Sequence, residues 1–178
     1  MEPKAKIMDE MAINRALARI SHEIIEKNPE LKNVCIFGVK RKGVPLAESL
    51  CKNIKKFFDI DIPMGVLDVT NHRDDLTDDD KIKNAGQSSF PCDINDKIVI
   101  IVDDVLYTGR TVRAANETIF SAGRPKCVQL VTLIDRGHRE LPLRPDYIGK
   151  NVPTAKSEIV KVIIDDINNE TGVYIYDK

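Results

Sequence analysis

Apolar residues are spread along this chain with two periods. Three short, mostly apolar runs, at 34–39, 98–102 and 128–134, are rich in β-branched residues, the pattern of strands buried on both faces; the one at 98–102 is unbroken. Between them the apolar positions recur every three or four residues. Asp9 stands where it can cap a helix running to about Lys27, and at ~100° per residue Ile13, Ala16, Leu17, Ile20 and Ile24 share one face. Arg15, Arg19 and His22 fall on the opposite face, where the ordinary outcome is a solvated surface with ion pairs to Glu23 and Glu26. A second helix is predicted over 44–58, with Pro45 in the first turn, where its missing N–H costs nothing, and a third over 112–120. Shorter strands are expected at 6–8, 62–70, 159–164 and 173–176.

Strands alternating with helices imply right-handed crossovers and a mostly parallel central sheet flanked by helices, the α/β class, with ligands at the carboxyl ends of the strands. No repeat, low-complexity tract or linker interrupts residues 1–178, so one domain is expected. Residues 71–90 are dominated by Asp, Asn, Lys, Ser and Gly. So long a polar insertion predicts a flexible lid, with Arg73, Asp74 and Asp75 folding over a substrate; disorder without closure is the alternative.

Composition narrows the classes of partner. With 27 basic and 28 acidic side chains the formal charge is −1, so no global field draws in nucleic acid or membrane, and any polyanion must meet a local patch. The longest apolar runs are of strand length, and the first ten residues lack a signal-peptide apolar region, so no membrane association is expected. The four cysteines form no Cys-x-x-Cys pair; Cys35 and Cys127 fall in predicted buried strands and read as small core residues. A cytoplasmic, reducing location is the expectation.

The chemistry concentrates after the second buried run. Asp103 and Asp104 stand at its carboxyl end, followed by Val105, Leu106, Tyr107, Thr108, Gly109, Arg110 and Thr111 and then a predicted helix. Strand, small polar loop and helix start make an anion cradle, because N–H groups at a helix N-terminus point outward and glycine permits close approach. Two carboxylates beside a phosphate would repel it, so they call for hydroxyls or a metal. A ribose 5-phosphate satisfies both halves; the alternative is a buried strand ending in a solvated acidic turn. A second loop, Lys40-Arg41-Lys42-Gly43, leaves the first buried run and offers three cations to a pyrophosphate, or is simply a basic turn. Residues 136–150 carry four Arg or Lys, one His and two acids among many turn-formers, which reads as a shaped basic surface loop.

The string VDDVLYTGRT resembles the phosphoribosyl pyrophosphate (PRPP) signature of type I phosphoribosyltransferases. The strings AINRALARISHEIIE and DRGHRELPLRPDYIGKNVPTAKSE extend the likeness over essentially the whole chain to the PyrR family, mRNA attenuators of pyrimidine operons that are also uracil phosphoribosyltransferases. The resemblance implies a type I fold with a small hood from the C-terminal segment. It implies conversion of uracil and PRPP to UMP and pyrophosphate with Mg²⁺, and regulation by transcription attenuation in response to UMP or UTP. Asp103, Asp104, Arg73 and Lys42 would then be catalytic. Arg41, Lys42 and the 103–111 stretch would bind PRPP, Arg136 and Val160 the base, and Asp103 and Asp104 would be the carboxylates nearest the metal. A homodimer or higher homo-oligomer would present leader mRNA with Arg19, His22, Lys27, His138, Arg139, Arg144 and Lys150. The sequence departs from the family pattern at Arg41-Lys42, where Thr-Arg is usual, at His72, where Tyr is usual, and at Ala18, where Thr is usual. Two other readings stay open: a regulator whose PRPP site only senses UMP, and a purine-type salvage transferase without RNA binding.

Overall fold

A computed structural model describes residues 2–70, 86–164 and 171–178. Two sheets make up its β structure. Five parallel strands lie in the order β3 (Met64–Leu67), β2 (Val34–Val39), β4 (Ile98–Leu106), β5 (Cys127–Asp135) and β6 (Tyr147–Asn151). A separate antiparallel sheet joins β1 (Ala5–Asp9), β8 (Gly172–Asp177) and β7 (Glu158–Ile163).

Alternation along the parallel strands sorts the core into two layers. Val34, Ile36, Ile100, Val102, Val131 and Leu133 pack with helices α1 (Glu10–Lys27) and α2 (Gly43–Phe58). Cys35, Phe37, Val99, Ile101 and Leu130 face helix α3 (Arg110–Ala122), meeting Ala114, Ala115 and Ile119. The expected apolar face of α1, from Ile13 to Ile24, is buried, and the Asp9 carboxylate accepts the Ala12 N–H at 2.7 Å as the cap requires. The antiparallel sheet shares the α1–α2 layer through Met8, Val160, Val162, Val173 and Ile175.

Several boundaries differ from the sequence expectation. β4 runs on to Leu106 rather than stopping at 102, because its pairing with β5 continues as far as Leu106 opposite Asp135. β3 is shorter than 62–70, and Pro63, lacking an N–H, lies just outside it. Residues 147–151, expected as loop, form the edge strand β6 alongside β5. Cys127 opens β5 at the sheet margin and is exposed, whereas Cys35 is fully buried as expected.

One buried polar knot ties α1 to the sheet. Asn28, just past the helix, donates to the Ile24 carbonyl, to Gln129 Oε1 and to the Tyr147 hydroxyl at 2.9, 3.1 and 3.0 Å, and accepts from Gln129 Nε2 at 2.9 Å. Tyr147 in turn donates to Gln129 at 2.8 Å. Burial pushes the Tyr147 phenol up to about 12. Asn28→Ala strands two buried partners and is expected to lower unfolding free energy by about 1–3 kcal/mol in urea titration. A raised phenol pKa means that the folded state keeps its proton after the unfolded chain has lost it. Its contribution is therefore complete below the unfolded value of about 10 and is lost as pH climbs toward about 12. Tyr147→Phe should flatten that part of the stability–pH curve.

Candidate nucleotide site and basic face

β4 delivers its last residues into a cavity of about 400 Å³ that has Asp103 in its wall, the 105–112 chain around it and Glu140 at its edge. Gly109 sits at φ 94°, a conformation that favours glycine, and turns the chain into α3. The Thr108 hydroxyl accepts the Arg110 N–H at 3.4 Å, and the Gly109 carbonyl accepts Arg113 N–H at 2.9 Å. Small side chains and helix-start N–H groups therefore line one wall, which suits an anion.

Asp103 is 6% exposed, and its Oδ1 accepts the Asp104 N–H at 2.9 Å. The Asp104 carboxylate repeats the motif on the Val105 N–H at 2.9 Å and is more accessible. The structure places Asp103 and residues 105–111 on one cavity; Asp104, next in the strand, is not part of its wall. No group of three or more His, Cys, Asp or Glu among the described residues could hold a metal by itself. Two hard carboxylates beside a phosphate cradle do fit an Mg²⁺ that arrives on its substrate, keeping water and phosphate oxygens as its other ligands.

The second loop passes against this one. A Cβ on Gly43 would stand 2.2 Å from the Val102 carbonyl oxygen, so only glycine lets α2 start so close to β4. The Lys40–Arg41 peptide is cis. Arg41 and Lys42 are exposed; the Lys42 ammonium donates to the Val162 carbonyl on β7, and Lys40 pairs with Asp68 at 3.0 Å. Arg73 and the rest of the expected tip, His72, Asp74 and Asp75, lie outside the described residues.

Arg136 and Val160 are both buried. The Arg136 guanidinium donates to the carbonyls of Ala155 and Glu158 at 3.1 and 2.9 Å and lies 4.1 Å over the Tyr107 ring. Its Nε is buried without a protein partner. So this arginine anchors the β6–β7 connection to the phosphate loop and keeps one donor in hand.

The seven basic-face residues divide by what they touch. Arg19 bridges α1 to β6 through the carbonyls of Ile148 and Gly149 at 2.8 and 2.9 Å and pairs with Glu23. Lys27 pairs with Asp146 at 2.5 Å, over the Tyr147 ring. Arg139 is largely enclosed, holding Asp135 at 2.5 Å and the Tyr107 and Leu143 carbonyls at 2.8 and 3.1 Å. His138, at φ 63°, lies 2.5 Å from the Thr154 carbonyl and edge-on to Tyr107. His22, Arg144 and Lys150 are exposed.

Sequence reasoning missed Phe57, 40% exposed and stacked on His22 at 5.1 Å, with Phe58 edge-on at 5.2 Å. The signal available was the pair of aromatics, Phe57 and Phe58, that ends α2. It also missed Glu140, which holds Arg110 at 2.8 Å while the Glu140 and Leu141 N–H groups donate to the Thr108 carbonyl.

The phosphoribosyl transferase domain family matches residues 4–167. A protein named "Bifunctional protein PyrR" from a Thermoanaerobacter species is 51% identical over 178 residues, covering 100% of both chains. Its namesake from Acetivibrio thermocellus is 54% identical over 99% of this chain and 96% of its own. Among solved structures, a hypoxanthine phosphoribosyltransferase from Trypanosoma cruzi superposes with TM-score 0.74 at 20% identity, covering 97% of this chain and 95% of that one. A hypoxanthine-guanine phosphoribosyltransferase from Bacillus anthracis gives 0.71 at 17%, with 98% of each chain covered. These last two likenesses are of fold, and the five-stranded parallel sheet is the type I arrangement expected from the sequence. No helix among the described residues is long and apolar enough to cross a membrane. Matched from end to end by relatives half identical to it, the chain belongs to the PyrR family of phosphoribosyltransferase-fold proteins.

Proposed function

We propose that this protein transfers the ribose 5-phosphate of PRPP to uracil, releasing pyrophosphate, and that it regulates pyrimidine operon expression by binding leader mRNA in a uridine-nucleotide-dependent way. The observation that carries the enzymatic half is one cavity shared by a buried carboxylate and a helix-start anion cradle at the carboxyl end of a parallel strand. The regulatory half rests on family membership and on a basic face beside that cavity.

In this reading residues 108–111 bind the 5-phosphate, and Asp103 and Asp104 meet the ribose hydroxyls. Their charge lies close to the sugar as it becomes cationic in the transition state, and the loop at 40–43 offers positive charge to the departing pyrophosphate. The bond from the anomeric carbon to pyrophosphate oxygen breaks, one to uracil N1 forms, and the N1 proton leaves to the departing pyrophosphate or to water. Mg²⁺, held by Asp103 and Asp104 with substrate oxygens, would supply further charge neutralisation. Arg136, with its spare buried Nε, and the backbone near Val160 are the base-reading groups, and Arg73, outside the described residues, is assigned to the pyrophosphate by family resemblance alone. A cytoplasmic homodimer is part of this reading.

RNA would be met by His22, Arg144 and Lys150 directly, with Arg19, Lys27, His138 and Arg139 shaping the surface. Phe57 beside His22 supplies a stacking surface of the kind by which unpaired RNA bases are held. The sensor-only alternative draws on one observation, the engagement of the Lys42 ammonium by Val162. Turnover of uracil and PRPP to UMP by the purified protein, without turnover of hypoxanthine, decides among the readings; absence of UMP formation would leave the sensor.

Asp104→Asn is expected to lower kcat by about a hundredfold or more; steady-state UMP production checks it, and unchanged turnover would remove Asp104 from the reaction. His22→Ala combined with Lys150→Ala should weaken binding of a pyrimidine-operon leader RNA and reduce the salt slope of affinity by about one per lost phosphate contact, with UMP production intact. Arg139→Ala, by contrast, should cost thermal stability and both activities together, because its guanidinium holds the loop that supports Thr108.

A further inference from the structure

Three cations leave β2 in succession, and the structure sends them to different places. Lys42 is drawn to β7, Arg41 is exposed, and the Lys40 ammonium lies 3.0 Å from Asp68 Oδ2. Asp68 directly follows β3, the neighbour of β2, and the Lys40 N–H donates to the Leu67 carbonyl at 2.9 Å, so carboxylate and loop meet at the same sheet edge. The pair is asymmetric. The Asp68 side chain is 8% exposed and that of Lys40 39%, so the acid is fixed in protein and the ammonium reaches solvent.

Asp68 is held from both directions along the chain. Its Oδ1 accepts the Thr70 N–H at 3.0 Å, and its own N–H donates to Ser88 Oγ at 2.9 Å. Burial acts to raise its pKa, but the Thr70 hydrogen bonds and Lys40 together outweigh that and hold it below the usual carboxylate range. Gly86 closes over the pair. A Cβ there would stand 2.2 Å from Asp68 Oδ2 and 2.4 Å from Lys40 Nζ.

We infer that Lys40 is the side chain by which the β2–α2 loop takes hold of pyrophosphate, and that Asp68 is the residue that positions it. The inference rests on the reading of this loop as the pyrophosphate site. A lysine carries its charge on a flexible four-carbon stem, and ordering that stem at the moment of binding costs entropy. Asp68 orders it beforehand. An ammonium has three donors, so one can stay on Asp68 while the others turn to phosphate oxygens.

Calorimetric titration of the full-length protein with magnesium pyrophosphate and, separately, with UMP tests this. Lys40→Met should raise the pyrophosphate Kd about tenfold or more, as expected for loss of a charge-assisted bond. Asp68→Asn, which keeps an oxygen for Thr70 but drops the charge, should raise it about threefold to tenfold. Gly86→Ala, which displaces the ammonium and removes neither charge, should act in the same direction. UMP lacks the pyrophosphate, so its affinity should stay unchanged in all three, and Asp68→Asn should add nothing in the Lys40→Met background. If Lys40→Met leaves pyrophosphate affinity unmoved while Arg41→Ala lowers it, the inference is overturned and the loop assignment stands. If neither variant matters, or the unaltered protein does not bind pyrophosphate, both fall. A parallel loss of UMP and pyrophosphate affinity in Asp68→Asn would mark a merely structural role and also overturn the inference.

Discussion

The site depends on a mismatch in how far β4 is paired on its two edges. Toward β2 the pairing stops at Gly38 opposite Val102, because β2 turns away after Val39. Toward β5 it continues four residues longer, to Leu106 opposite Asp135. From Asp103 onward β4 is thus supported on one side and uncovered on the other, and the uncovered side faces the loop that carries Lys40, Arg41 and Lys42. Gly43 sets how narrow that crevice is, since its Cα runs against the Val102 carbonyl. Acids line one bank and cations the other, as a ligand with hydroxyls and phosphates requires.

The phosphate loop is also bonded to the chain that follows β5. Thr108 receives two N–H groups from Glu140 and Leu141, Arg110 pairs with Glu140, Tyr107 lies under Arg136, and Arg139 reaches the Tyr107 carbonyl. Phosphate cradle and basic loop therefore share one hydrogen-bond network. A change in one must be accommodated in the other, which is the physical condition under which an occupant of the cradle can be felt at the proposed RNA surface. Arg19 extends the connection to α1 through the β6 carbonyls.

Much of this was legible in the sequence because the strongest constraints are local and periodic. The buried runs and the α1 face follow from burial on two faces and helical spacing, and each stands where expected. What escaped has a common physical origin, in partners distant along the chain. Residues 147–151 carry no strand pattern of their own and become β6 because β5 offers an open edge. Arg136 and Arg139 looked like surface cations, yet they are spent on carbonyls and on Asp135, and only folding shows that those groups converge. Phe57 drew no reading of its own, and it stands partly outside because α2 ends just beyond it, at Asp59 with φ 54°.

Charge completes the argument. A protein at formal charge −1 cannot rely on its overall field to gather an RNA, so affinity must come from cations that are not already neutralised. Lys27 and Arg19 are each within 2.5 Å of a carboxylate oxygen, and an ion pair at that distance contributes far less to a remote phosphate than a free side chain does. Inside the nucleotide crevice the count differs, because Lys42 faces a carbonyl whereas Lys40, 3.0 Å from one carboxylate oxygen and reaching solvent, keeps donors for a ligand in direct contact. Sites of this kind bind anions not by the number of their basic residues but by how many donors those residues still have to give once the fold has taken its share.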